Sequence, residues 1–154
     1  MEKIERILFP VELSSISELI APHVAIRSEK FGAEVHVMHV VQSPEDWARL
    51  YAVAPEALKA EAELVHEAEQ MLDDFCTQHL PEAIQVVLTG DTVDSIIDYI
   101  CDKDISMVVM GSHGRKGLDR ILMGSVAMRV LRRSPVPVLI VNPYRHEAEK
   151  RPAK

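Results

Sequence analysis

A doubly wound α/β domain, with five parallel strands in the order 3-2-1-4-5 and helices on both faces, is the fold this 154-residue sequence predicts. The hydrophobic pattern switches repeatedly between a strand-like and a helix-like period. Its strand-like runs are apolar on both faces, as strands held between two layers of helix must be. Helical segments separate the strands, which parallel neighbours require because they are joined by right-handed crossovers. At this length, with 47% apolar residues, the chain holds one ordinary domain with a real core.

The first strand is RILFPV, residues 6–11, ending at Pro10. In the polar ELSSISE that follows, Ser15 and Glu18 have the spacing of a capping box. Ile16, Leu19, Ile20, Val24 and Phe31 recur at helical spacing up to Gly32, where a C-terminal cap glycine belongs. Pro22 lacks an N–H, so the regular helix either starts late or kinks. AEVHVMHVV, residues 33–41, reads as a central parallel strand. Residues 42–54 hold the only Trp and read as a surface excursion with about one helical turn. Beyond Pro55, the ladder Leu58, Ala62, Val65, Ala68, Leu72 and Phe75 marks a long helix packed on the core, with an acidic outer face. AIQVVL, residues 83–88, is the third strand, and a turn at Gly90 leads to a helix carrying Val93, Ile96, Ile97 and Ile100. ISMVVM, residues 105–110, is the fourth strand, residues 125–133 form the last helix, and PVPVLIV, residues 135–141, is the fifth strand. The domain covers residues 1–143, and the polar tail, residues 144–154, is expected to fray.

Composition excludes several function classes. A net charge of −7 with no Lys/Arg stripe argues against duplex nucleic acid or an anionic membrane as a partner, so any anion must be held by local geometry. Cys76 and Cys101 have no paired spacing, which fits reduced thiols, and both are expected to be buried. The first residues carry no leader pattern and no apolar run spans a bilayer, so a cytoplasmic location is expected.

In a doubly wound sheet, ligands bind outside the carboxyl ends of the strands where the winding reverses, here between the first and fourth strands. The stretch MGSHGRKGLDRILMGS, residues 110–125, begins there. Gly111 and Gly114 flank Ser112 and His113 and permit a tight turn that aims backbone N–H groups at an anion. Gly124 removes a side chain just before a helix, and Ser125 is expected at its N-cap, where free N–H groups meet phosphate. Arg115, Lys116 and Arg120 would compensate a polyphosphate's charge, whereas Arg129, Arg132 and Arg133 fall toward the helix C-terminus, where they complement the dipole.

The other polar residues have plainer readings. His36 and His39 fall on opposite faces of a strand and cannot share a metal, and His39 reads as a hydrogen-bonded core histidine. His113 either touches phosphate or caps a turn. Asp91, Asp94 and Asp98 could suggest a magnesium site, but a solvated helix face is the simpler reading.

The spacing Gly111-x2-Gly114-x9-Gly124-Ser125, after a hydrophobic strand and before PVPVLIV, resembles the nucleotide-binding pattern of the universal stress protein family. ILFPVELS resembles the family's opening strand and FGAEVHVMHVV its second, so the resemblance covers nearly the whole chain. It implies ATP binding, with magnesium accompanying the ATP. Gly111, Gly114, Gly124 and Ser125 would hold ribose and phosphates, with Met110, His113, Arg115 and Val126 close by, and Val40 would meet the adenine through its backbone. Pro10, Val11 and Glu12 would form the base side, where Glu12 stands in place of the family's usual Asp and adds one methylene. The resemblance also implies a homodimer through the last strand, Val136 to Val141, a run too apolar to leave unpaired at a sheet edge.

Three function classes follow: an ATP-binding regulatory protein acting with an unidentified protein partner, a dimeric stress-related interaction module that binds no nucleotide, and an enzyme. Against the enzyme, the sequence has no GxxxxGK[ST] or GxGxxG motif and no evident nucleophile beside a base. Slow ATP hydrolysis is the most that an anion nest with a bound metal would give.

Overall fold

The computed structural model describes residues 3–42, 55–112 and 123–144. The expected excursion after residue 42, most of the glycine-rich stretch and nearly all of the tail lie outside the described residues. The described elements run β1 (Arg6–Pro10), α1 (Ser15–Phe31), β2 (Glu34–Val41), α2 (Pro55–His79), β3 (Ile84–Thr89), α3 (Thr92–Asp102), β4 (Met107–Gly111), α4 (Ser125–Arg133) and β5 (Val138–Val141). They build one five-stranded sheet in the order β3-β2-β1-β4-β5, parallel at every pairing.

Alternate strand residues feed two core layers. Ile7, Phe9, Val35 and Val37 pack with Val24 of α1 and Leu72 and Phe75 of α2. Leu8, Met38, Val108 and Met110 pack on the other face with Val93, Ile96 and Ile100 of α3 and Val130 of α4. Helices therefore cover both faces, as the pattern predicts.

Helix α1 starts on time and continues through Pro22. Its N-cap is Ser14 rather than Ser15, and the Ser14 side chain makes no cap hydrogen bond. Ser15 is already helical, so the expected capping box with Glu18 does not form. The other end matches expectation: Gly32 adopts φ 63°, a left-handed conformation that glycine takes without steric cost, while its own N–H and that of Ala33 bond the carbonyls of Glu29 and Ser28.

Three expectations are corrected. The α2 ladder enters the core only from Ala68 onward: Leu58 is 60% exposed, Ala62 is exposed and Val65 is only partly buried. A helix of 25 residues is about 37 Å long, whereas the six residues of β3 span about 20 Å, so α2 overruns the sheet. Cys76 is buried but Cys101 is exposed, because α3 turns Val93, Ile96, Tyr99 and Ile100 inward and Cys101 falls past that face. Strand β5 begins only at Val138. Before it, Ser134 Oγ donates to the Val136 carbonyl at 2.8 Å and accepts from the Val136 N–H at 3.2 Å, and Pro135 and Pro137 have no N–H to give the ladder.

Candidate functional site

The carboxyl ends of β1 and β4 lie side by side where the winding reverses, with β2 on the other side of β1. Strand β1 stops opposite Met38, and Val11 adds one more bond from its N–H to the Met38 carbonyl at 2.8 Å. His39 Nδ1 donates to the Val11 carbonyl at 2.9 Å, which bears out its reading as a hydrogen-bonded histidine and fixes the exit of β1. Backbone groups on a strand alternate sides, so Val40, two residues beyond Met38, turns its N–H and C=O toward the β1 side past the end of that strand. Its side chain, like that of Met110, is buried in the α3–α4 layer, and Val126 packs against the same layer. Val11 is buried in the opposite layer, Glu12 is exposed, and Leu13 turns the chain with φ 56°, a left-handed conformation uncommon outside glycine.

On the β4 side, Gly111 is the last strand residue and pairs with Val141. The Ser112 N–H bonds the Val141 carbonyl at 2.9 Å, and the Gly124 N–H returns to the Ser112 carbonyl at 2.7 Å. The end of β4 and the start of α4 are thus joined directly. Gly124, not Ser125, is the N-cap of α4. Ser125 is the first helical residue and exposed, because the Gly124 carbonyl already accepts the first helical bond, from the Met128 N–H at 3.0 Å. Gly124 has φ −57° and ψ 151°, values any residue can adopt, so the backbone here does not require glycine. With no side-chain cap, the first N–H groups of α4 have no intrahelical acceptor and point outward at the positive end of the helix dipole.

Pro10, Val11, Glu12, Val40, Met110, Gly111, Gly124, Ser125 and Val126 therefore belong to the ends of elements that meet at the carboxyl edge of the sheet. His113, Gly114, Arg115, Lys116 and Arg120 lie outside the described residues. Two features escaped the sequence reading. Leu13 carries no glycine or asparagine signal for its left-handed turn, and the Ser112–Gly124 closure joins residues whose pairing no periodicity marks.

The acids of α3 serve structure. Asp91 caps the helix, accepting from the Asp94 N–H at 2.9 Å. That bond foremost, with the Arg129 guanidinium nearby, holds the Asp91 carboxyl below its usual range. Arg129 reaches Asp91 at 3.8 Å and Arg133 reaches Asp94 at 2.6 Å, so these arginines tie α4 to α3 beyond any service to the dipole. No metal-binding cluster of His, Cys, Asp or Glu occurs among the described residues. His36, on the opposite face from His39, is buried at the amino end of β2. An ionised carboxylate only accepts, so Nε2–H donates to Glu34 Oε1 at 2.9 Å and the Tyr99 hydroxyl donates to Nδ1 at 2.7 Å. Burial, with Glu34 nearby, pushes the Tyr99 phenol up. No helix among the described residues is long and apolar enough to cross a membrane.

Comparison with known proteins places residues 3–142 in a match to the universal stress protein family. Universal stress protein MJ0577 of Methanocaldococcus jannaschii is 25% identical over 152 residues, covering 89% of this chain and 94% of its own. Its solved structure matches with a TM-score of 0.77 over 92% of this chain and 97% of that one. A universal stress protein solved in complex with cAMP shares the fold at TM-score 0.63 and 18% identity, covering 92% of this chain and 99% of that one. Another, from Archaeoglobus fulgidus and in complex with dAMP, does so at 0.59 and 19%, covering 92% of this chain and 100% of that one.

Proposed function

The chain belongs to the universal stress protein family, and from that premise we propose that it is an adenine-nucleotide-binding regulatory protein of the stress response, taking ATP together with magnesium. The observation that carries this reading is the bare start of α4, a glycine N-cap with no side chain, at the same carboxyl edge of the sheet where β2 carries Val40 past the end of β1. Phosphate approaches the first N–H groups of α4 past Gly124, each favourable charge gaining roughly 0.3–1 kcal/mol from the dipole when exposed. Gly111 and Ser125 flank the phosphates, and Gly114, His113 and Arg115 are assigned to the same ligand by the sequence pattern. Val40 meets the adenine through its backbone, and Pro10, Val11 and Glu12 bound the base and ribose. Relatives solved with cAMP and dAMP support an adenine nucleotide as the ligand class. Magnesium would supply charge neutralisation on the phosphates. Turnover is slow at most, since no residue among those described is set to orient an attacking water. Occupancy reports on the cell by altering the surface offered to a regulatory protein, in a cytoplasmic homodimer paired through β5.

The test is a calorimetric titration of nucleotide-free protein with ATP, with and without magnesium, repeated on Gly124→Val. Because φ and ψ at Gly124 suit valine, the variant is expected to fold and to lose at least tenfold in affinity by blocking the phosphate path. A wild type that takes up no nucleotide would overturn the reading and leave a dimeric interaction module.

A further inference from the structure

Between the first turn of α1 and α2 lies a cavity of about 220 Å³. It is smaller than the roughly 300–1,000 Å³ of pockets for drug-sized ligands. Its polar lining comes from Ser14 and Glu18 on one side and Asp74, Gln78 and His79 on the other, with the buried Phe75 between helix and sheet. Ser14 Oγ is shielded from solvent and has no hydrogen-bond partner among the described residues. Although Ser14 is the N-cap of α1, its hydroxyl caps nothing, and a buried hydroxyl left unpaired is a cost that a ligand can relieve.

Among the described residues the formal charges lining it have one sign. Glu18 and Asp74 come from different helices, and neither enters a salt bridge among the described residues. No lysine or arginine among the described residues lines the cavity. Two carboxylates facing a concave wall draw cations. The tilted rings of Phe75 and His79, 5.0 Å apart, offer a surface that suits an organic cation and its alkyl stem. A metal ion fits less well, since no group of three ligating side chains forms among the described residues.

We propose that this cavity binds a primary alkylammonium group, carried by a short free amine or by a lysine side chain. Such a group has three N–H donors, and the Glu18 carboxylate, the Asp74 carboxylate and Ser14 Oγ are acceptors for them. Leu13, in its left-handed conformation, also lines the cavity and follows Glu12, so the occupant sits against the back of the β1–α1 turn.

The test follows backbone amide NMR shifts of nucleotide-free protein at pH 8 and constant ionic strength. The probes are n-butylammonium, its neutral isostere n-butanol, and Nα-acetyl-lysine methylamide. Saturable shifts at Ser14, Glu18 and Asp74 are expected with the ammonium and not with butanol. Glu18→Gln and Asp74→Asn, two independent exposed positions, should each weaken binding at least tenfold, and Ser14→Ala about threefold. Asp98→Asn, outside the cavity, should leave it unchanged. Tighter binding of the lysine derivative assigns the site to a partner's lysine, and tighter binding of butylammonium assigns it to a free amine. Equal responses to butanol and butylammonium, or binding untouched by both charge-removing variants, would overturn the proposal.

Discussion

Replacing Asp91 with alanine removes the hydrogen bond that starts α3, and the structure sets the size of the loss. The carboxylate accepts from the Asp94 N–H at 2.9 Å, and losing such a cap costs ~1 kcal/mol, with a range of about 0.5–2. The accompanying 3.8 Å contact to Arg129 joins two side chains that are each about half exposed, so it adds about 0–1 kcal/mol. Asp91→Ala should therefore lose about 1–2 kcal/mol in urea unfolding at neutral pH, with Tm falling about 2–4 °C per kcal/mol. Asp91→Asn keeps a capping oxygen and should recover most of that loss. Acid separates cap from charge. The folded carboxyl sits below its ordinary value, so its contribution is complete above the unfolded pKa of about 3.9 and disappears as pH falls through the lower folded value. The gap between wild type and Asp91→Asn should close as pH falls through that lowered value. An Asp91→Ala protein as stable as wild type at pH 7, or an Asp91→Asn protein as weak as Asp91→Ala, would refute the capping argument.

Other expectations can be checked with the same equipment. Leu72→Ala empties a fully buried position and should cost about 2–5 kcal/mol, whereas Leu58→Ser, on the overrunning half of α2, should stay within about 0.5 kcal/mol of wild type. Tyr99→Phe strips buried His36 of the hydroxyl on Nδ1 and should cost about 1–3 kcal/mol; a smaller loss would mean water takes the hydroxyl's place. Burial, helped by Asp73, pushes the Cys76 thiol up to about 11, so at pH 8 mass spectrometry after brief alkylation should find Cys101 modified and Cys76 intact until urea is added. Equal labelling of the two thiols in the folded protein would contradict that burial.

The sheet order followed from the sequence because each element announced itself through a single period. AEVHVMHVV is apolar on both faces and sits second from one edge, buried as expected. Gly32 marked the end of α1 because a left-handed cap has few other occupants. Where two signals competed, the sequence misled. Ser14 and Ser15 are equally good caps by composition, and it is Ser14 whose backbone is extended in the structure. At α4, Ser125 drew the cap assignment away from Gly124, whose missing side chain is the more consequential feature. The α2 ladder has uniform spacing along its length, and only the shortness of the strands decides which half meets the core. Around the candidate site, glycines and hydroxyls were readable as residue types. The hydrogen bond that gathers Ser112 and Gly124 was not, because it joins backbone atoms and leaves no imprint on side-chain chemistry.

That backbone bond separates two tasks along the chain. The Ser112 carbonyl and the Gly124 N–H meet at 2.7 Å, and a main-chain bond of this kind asks for no particular side chain at either position. Joining two points of a chain that the fold already holds together lowers the entropic cost of what is inserted between them, about 0.6 kcal/mol for each doubling of its length. The bond thus works as a clasp: the frame of the domain closes at Ser112 and Gly124 whichever side chains stand there.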